Sequence, residues 1–492
     1  VNDDGKVQAG VAKTWNISDD GKVYTFHLRQ GAKWNVKNTS QSADSKELTK
    51  AQELMGETFN PDITANDFVF ALQRAGEKNT DAPLFSSISN IVNASKIHSG
   101  KMKSSKLGVK AIDDYTLEIK LKSADNGFLN VLSTAIAMPC NEDYFNATKG
   151  RYGLGLDYSI FNGQFYVSNI LEASYLLKNN SQYVGDYKSQ VTDVTLKITD
   201  GSEDTVKSLK SGYYDSAYIT GQEYDKLKDS GITAISYTDT TLAMILNKNN
   251  VIFSNDKLRQ AVCLSISDLD SKKYDYLSRA TSFTPPSCVI EANAANKEMG
   301  ATVYKQNITK AQELWRTGLN ELGATQASFT VIATEEYKDV VKELVQGIQA
   351  GVGSISSYGN DDEHKISFSL KIDILSESDY RTALSKGDYD IALYKFTATN
   401  QSALNFLSSV INSNLMGNAP AAVSALKRAQ NGTAQNLAQN AKNCEKAILA
   451  DYSIKPVLYE SSYYAQAKGV ANVQFHPGSG RISFVNATRE EK

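Results

Sequence analysis

The stretch Thr238–Asp268, TDTTLAMILNKNNVIFSNDKLRQAVCLSISD, decides how this chain divides. It opens with an apolar run, Leu242 to Leu246, of the length a buried strand needs. A polar link without periodicity follows, Asn247 to Asn250. Ser254 then stands where a helix N-cap belongs, and Leu258, Ala261, Val262 and Ser265 recur at helical spacing. Strand, link and helix therefore succeed one another near the midpoint. The residues alone leave two readings open: one more β-loop-α unit inside a single domain, or a crossing between two lobes.

A chain of 492 residues is long enough for about three domain-sized units. Hydrophobic residues make up 41% and charged residues 22%, the balance of a globular protein with a sizeable core. A net charge of −3 gives no support to nucleic-acid or anionic-membrane binding. No run of about 18 apolar residues is present to cross a bilayer. Val1-Asn-Asp-Asp-Gly5 reads as a turn entered mid-chain, so an upstream segment is expected to have been removed. Cys140, Cys263, Cys288 and Cys444 are far apart and share no ligand spacing. Cys263 and Cys444 fall in apolar helical patterns and read as small buried hydrophobes, and pairing is left open.

Outward from the centre, two N-terminal segments share one design. Val11 to Trp15 leads through Ser18-Asp-Asp-Gly-Lys22 into Val23 to Arg29, where Tyr24, Phe26 and Leu28 alternate with polar residues. Val109 to Ile112 leads through Asp113-Asp114 into Tyr115 to Leu121, where Leu117, Ile119 and Leu121 alternate likewise. Both read as antiparallel hairpins with one wet face. Between them, Thr64-Ala-Asn-Asp67 is a capping box that opens a helix to about Arg74, and a shorter helix is expected around Ser45 to Leu54. Strands are expected at Tyr166 to Leu171, Tyr175 to Asn179 and Val191 to Ile198, and a helix at Asp204 to Leu209.

Beyond the centre, a helix from Thr309 ends at Gly323, and another, Tyr337 to Ala350, carries Val340, Val341, Leu344 and Ile348 on one face. Strands are expected at Phe329 to Ile332, Ser367 to Leu375, Asp388 to Tyr394 and Ile454 to Tyr459, and helices from Ala421 to Ala450 with a break near Asn431-Gly432. This alternation reads as an α/β lobe.

Reactive constellations are missing from the sequence. His27, His98, His364 and His476 belong to no HExxH or Cys/His motif, and neither a GxSxG elbow nor a GxxxxGK[ST] loop occurs. Gly153-Leu-Gly155 is too short for a dinucleotide fingerprint, and Asp361 to His364 reads as a solvated turn before it reads as a metal site. Asp388 and Asp390 have glycosidase-compatible chemistry, but two acids at strand spacing are common. No catalytic residue, metal or cofactor is expected.

The motifs resemble those of the extracytoplasmic solute-binding proteins of family 5, which serve oligopeptide and dipeptide ABC transporters. The matching phrases are Gly10-Val-Ala-Lys-Thr-Trp15, Tyr24-Thr-Phe-His-Leu-Arg-Gln-Gly-Ala-Lys-Trp34, Ile63-Thr-Ala-Asn-Asp-Phe-Val69, Ser99-Gly-Lys101, Leu107 to Glu118, and Leu246-Asn247 with Phe253 to Ala261. Asn162-Gly-Gln-Phe-Tyr166 is similar to the family's Asn-Gly-Pro-Tyr turn with Gln164 for Pro, and Ser211 to Tyr218 to its Ser-Gly-Glu-Ile-Asp stretch. Two departures are the insertion from Val36 to Asp62 and the missing first strand.

The resemblance implies an α/β, bilobed, periplasmic-binding-protein-like fold of type II, in the large three-subdomain oligopeptide-binding variety. Its implied division is 1–160 as an extra subdomain of the first lobe, 161–252 with 467–492 as that lobe's core, and 253–466 as the second lobe. Two crossings, near Asn247 to Ser254 and Tyr459 to Val470, would act as the hinge. It implies a monomeric binder of a peptide or related solute, partnered by a membrane permease, with an upstream lipid anchor in a Gram-positive source or a periplasmic location.

The implied ligand-binding residues are Tyr237, Asp239 and Thr241 on one wall, Tyr394, Lys395, Phe396, Thr397, Thr399 and Asn400 on another, and Tyr459. Aligned on Phe406-Leu407, Phe396 stands for the family's Trp and Thr399 for the Asp that pairs with the peptide's free amine. A buried ammonium without a partner costs several kcal/mol, a large part of the roughly 8 kcal/mol in a micromolar affinity. Asp239 is the candidate to replace that acid; otherwise the ligand has no buried amine. Two rivals from other classes remain, a surface receptor or adhesin on the same fold and a hydrolase that would turn its ligand over; within the binding class, the missing Asp leaves room for a non-peptide solute such as an oligosaccharide.

Overall fold

A computed structural model of the chain describes every residue except 1–5, 37–49, 57–58, 126, 187, 200–203, 268, 270–273, 291–292, 399–400, 414, 416–418, 431, 433, 477–480 and 491–492. The chain forms two compact units. Unit 1 comprises Val1–Ile219, Lys226–Ile235 and Tyr464–Lys492, and unit 2 comprises Thr220–Asp225 and Ser236–Tyr463.

In unit 1 the two expected hairpins are strands β1 (Ala12–Ile17) with β2 (Val23–Leu28) and β3 (Val109–Asp113) with β4 (Thr116–Lys120). They join through β2 and β4 into one antiparallel sheet, order β1-β2-β4-β3, with Tyr24 opposite Ile119 and Phe26 opposite Leu117. Those alternating residues pack with Leu72 and Ala75 of the helix Ala65–Gly76. The helix opens as its capping box predicts: the Thr64 amide donates to Asp67 Oδ2 at 2.7 Å. The short helix is Lys50–Met55, and the start expected for it at Ser45 lies outside the described residues. Strands β5 (Phe165–Leu171), β6 (Ser174–Asn179) and β7 (Asp193–Lys197) form a second antiparallel sheet. The C-terminal segment rejoins this unit, where the Gln190 amide donates to the Val485 carbonyl.

Strand β8 (Ser216–Ile219) closes the long N-terminal part of unit 1. Strand β9 is longer than its apolar run suggests, Thr233–Leu246, and its burial rises from the exposed Ser236 to the fully buried Leu242. β9 shares a sheet with β10 (Leu277–Arg279), β11 (Gln326–Thr334), β12 (Ser367–Leu375), β13 (Ile391–Thr397) and β14 (Ile454–Gln466), the last of which ends in unit 1. The sheet order is β10-β14-β9-β13-β11-β12. β11 runs parallel to β12 and β13, whereas β13 is antiparallel to β9.

Four boundaries differ from expectation. Ser236–Leu246 belongs to unit 2 and not to the first lobe's core, because β9 pairs residue for residue with β13 from Thr240 to Leu246. The N-cap of the central helix Asp256–Ser265 is Asn255, whose side chain accepts the Lys257 and Leu258 amides. Ser254 instead ends a short helix, Val251–Ser254, capped by Asn250. The strand expected at Asp388 begins only at Ile391, because the Asp390 carboxylate is spent on the Asn250 amide group and the Thr330 amide. β14 runs seven residues past Tyr459 to Gln466. Between the helices Pro420–Gln430 and Ala434–Leu449, Asn431 of the expected break lies outside the described residues.

The central helix packs on Ile308–Leu322 at Gly318, where a Cβ would stand 2.6 Å from Leu258 Cγ. Lys338–Ile348 buries Val340, Val341, Leu344 and Ile348, the face its periodicity marks. All four cysteines are free and buried, so the pairing left open by sequence is not made.

Candidate functional site

β9 and β13 lie side by side, so Tyr237–Thr241 and Tyr394–Thr397, remote in sequence, share one strand pair. The register sets Thr240 opposite Thr397, Thr241 opposite Phe396, Leu242 opposite Lys395 and Ala243 opposite Tyr394. Past the last pair the Ala398 amide donates to the Asp239 carbonyl at 2.8 Å. The hydroxyls of Thr240 and Thr397 meet at 3.0 Å. β14 flanks β9 on its other side, where Thr238 Oγ1 and Ser461 Oγ meet at 2.8 Å. Thr399 and Asn400 lie outside the described residues.

Burial sorts the named residues. Lys395 and Thr397 are exposed, and Tyr237, Asp239 and Tyr394 are half-buried. Thr241, Phe396 and Tyr459 are interior. The Thr241 hydroxyl donates to the Phe283 carbonyl at 2.8 Å. The Phe396 ring meets the Phe283 ring edge-on at 5.0 Å and the Tyr394 ring at 4.7 Å. The Tyr459 hydroxyl bonds Ser282 through its amide, hydroxyl and carbonyl. These three shape the strand pair from behind and share one prop, the segment Ser282–Thr284.

That prop hangs on a residue the sequence did not announce. Glu445, fully buried on the helix Ala434–Leu449, accepts the Phe283 amide at 2.7 Å, the Thr284 amide at 2.9 Å, the Thr284 hydroxyl at 2.6 Å and the Thr302 hydroxyl. Its only sequence signal is an acid on the apolar face of a helix.

The electrostatics are those of a partly dried carboxylate surface. Burial pushes the Asp239 carboxyl above its ordinary range, offset in part by the Thr240 hydroxyl at 3.1 Å and by the charge of Lys395. Burial raises Glu460 as well, opposed by Lys395 and by the Tyr337 hydroxyl. Tyr337 itself is raised by burial and by the carboxylates beside it. Glu336, Tyr337 and Glu460 escape a motif search because they come from two segments more than 120 residues apart and form no local pattern.

The buried cysteines of unit 2 are not activated as nucleophiles. Burial pushes the Cys263 and Cys444 thiols up to about 12, far from the thiolate that attack requires. Among the described residues no three His, Cys, Asp or Glu side chains are placed to hold a metal. The pair Asp388/Asp390 lies beside an open cavity of about 480 Å³ with Asn247, Asn250, Thr330 and Asp373. There Asp390 braces loops through the two bonds given above, and Asn247 donates to the Gly387 and Tyr389 carbonyls.

Residues 6–418 match the model of the bacterial extracellular solute-binding proteins, family 5, middle part. The chain is 23% identical over 357 residues to the dipeptide-binding protein DppE of Bacillus subtilis, covering 71% of this chain and 61% of that protein, so it spans less than two thirds of that relative. It is 23% identical over 507 residues to the oligopeptide-binding protein OppA of the same organism, covering 99% of this chain and 86% of that one. Among solved structures, peptide-bound OppA of Listeria monocytogenes superposes with a TM-score of 0.73 at 20% identity, covering 100% of this chain and 92% of that one. The fold is therefore the type II periplasmic-binding fold in its oligopeptide-binding variety. No helix among the described residues is long and apolar enough to cross a membrane.

Proposed function

The chain belongs to the bacterial extracellular solute-binding proteins of family 5, and from that premise we propose that it is the substrate-binding component of an ABC importer with oligopeptides as cargo. It works outside the cytoplasm as a monomer, held by an upstream lipid anchor or free in a periplasm, and hands its ligand to a membrane permease. The observation that carries the reading is the family match over 6–418, to which the strand pair β9/β13 adds a surface of the right chemistry.

An extended peptide is gripped through its backbone, by main-chain and hydroxyl groups near Tyr237, Asp239, Thr397, Thr399 and Asn400. Side chains are left in wet pockets, which gives broad selectivity without a base or nucleophile. Thr241, Phe396 and Tyr459 hold the strands in place for this. Asp239 supplies the counter-charge for the peptide's amine. The ligand binds the closed arrangement of the two lobes more tightly than the open one, and only that difference drives closure.

The test is native mass spectrometry of the purified protein, followed by a thermal-shift screen with a peptide pool. A ligand at a hundred times its dissociation constant stabilises by about 2.7 kcal/mol, so binders must raise the melting temperature with dose and be recovered unchanged. Turnover of the bound peptide would make the protein a hydrolase. Stabilisation by oligosaccharides and by no peptide would move the cargo to the non-peptide class.

A further inference from the structure

Beside the strand pair, unit 2 holds an ammonium in a preformed cage. The Lys395 Nζ lies 3.3 Å from Glu336 Oε2, 3.4 Å from Glu460 Oε2 and 4.8 Å from the centre of the Tyr337 ring. The Tyr337 hydroxyl donates to Glu460 Oε2 at 2.7 Å and fixes the buried carboxylate in place. The contrast in tightness matters. Tyr337 and Glu460 are almost fully buried and closely bonded, whereas the Lys395 side chain is 43% exposed and pairs with the two acids at the longer distances of 3.3 and 3.4 Å. Two carboxylates share one ammonium, so the cage keeps a net negative charge when both are ionised. A carboxylate as dry as Glu460 needs a cation beside it, because an unpaired buried charge costs several kcal/mol. A flexible lysine on the exposed side can meet that need and still swing away.

We propose that Glu336, Glu460 and the Tyr337 ring form a subsite for a primary ammonium of the ligand, and that Lys395 occupies it as an exchangeable counter-ion until the ligand arrives. The proposal deepens the peptide-binding reading and rests on it only for what brings the ammonium. Two carboxylates and an aromatic face suit a primary alkylammonium, the group already seated there, better than a neutral donor. In that reading Asp239 takes the peptide's amino terminus, so the group expected here is a lysine-type side chain.

The cage is tested first without any peptide. In Lys395→Ala, n-butylamine at neutral pH re-creates the missing side chain. A dose-dependent rise in melting temperature is expected with n-butylamine, none with n-butanol, and none with either in Lys395→Ala/Glu460→Gln, which keeps the Tyr337 bond. Equal responses to amine and alcohol would overturn the cage. The Lys395→Ala protein, whose cage is vacated, is then titrated with N-acetylated Ala-Lys-Ala and N-acetylated Ala-norleucine-Ala. Charge-assisted hydrogen bonds contribute about 1.5–3 kcal/mol, so the lysine peptide should bind at least about tenfold more tightly than the neutral one. Adding Glu460→Gln should erase that preference. A preference that survives in Glu460→Gln overturns the subsite. If no peptide binds while n-butylamine still acts on Lys395→Ala, the cage stands and the peptide reading falls.

Discussion

Glu445→Gln tests how the ligand surface is supported. Each oxygen of this buried carboxylate faces one backbone amide and one hydroxyl, and among the described residues no cation pairs with it. A glutamine supplies one oxygen and one amide nitrogen. Either orientation points an N–H at the amide of Phe283 or of Thr284. The hydroxyl on that side can rotate to accept, but the backbone amide cannot. One buried donor is then unsatisfied, at about 1–3 kcal/mol, and the bonds on the other side lose their charge assistance. Relief of the buried charge returns part of this, which leaves a net loss of about 3 kcal/mol. For a unit of this size that is a fall of about 6–12 °C in melting temperature. The loss also reaches the ligand surface, because Ser282 and Phe283 are what Tyr459, Thr241 and Phe396 rest on. Calorimetric melting and peptide titration of the variant measure both effects. A Glu445→Gln protein that melts within a degree of wild type, or that melts early yet binds unchanged, would refute the reasoning.

Asp239→Asn removes a half-dried carboxylate with a single hydroxyl partner at 3.1 Å. Its raised pKa means that the ionised form costs the fold stability, so the variant should melt no lower at neutral pH while free-amine peptides bind about tenfold or more weakly and acetylated ones do not; calorimetry and titration decide it. Asp67 is pushed up by burial to about 6 from 3.8. A folded-state pKa above the unfolded value gives stability that is fully present below about 4 and is lost as pH rises through about 6, on the order of 3 kcal/mol at most; Asp67→Asn should flatten that stretch of the melting-temperature profile. Gly318→Ala places a Cβ 2.6 Å from Leu258 Cγ, and the overpacking, about 1–3 kcal/mol, outweighs the roughly 1 kcal/mol gain in helix propensity; denaturant unfolding should show a lowered midpoint.

Much of the fold was legible because burial follows short-range periodicity. Tyr24, Phe26 and Leu28 alternate and are buried, and Val340, Val341, Leu344 and Ile348 recur at helical spacing and are buried. Boundaries were less legible where a side chain spends itself on a distant backbone. Asp390 looks like the middle of a strand and instead braces Thr330 and Asn250. Asn255, not Ser254, caps the central helix, and both residues are good caps by type. Glu445 was invisible because its four donors come from two segments more than 140 residues away.

The site follows the same division. A resemblance aligns positions to the walls of a cleft, but burial along the strand decides which atoms a solute can reach. On β9 the residues Tyr237 to Asp239 are half-buried, and everything from Thr240 to Leu246 is interior. On β13 the outward alternation survives only at Lys395 and Thr397, while Phe396 between them is packed against Phe283. The surface this leaves for the proposed peptide is the common end of the two strands, where the Ala398 amide donates to the Asp239 carbonyl. On the proposed reading, Asp239 at that end and Glu460 behind Lys395 favour a chain that brings positive charge. Binding and support are then assigned to different residues: Asp239, Lys395 and Glu460 to what is bound, Thr241, Phe396, Tyr459 and Glu445 to holding the strands in place.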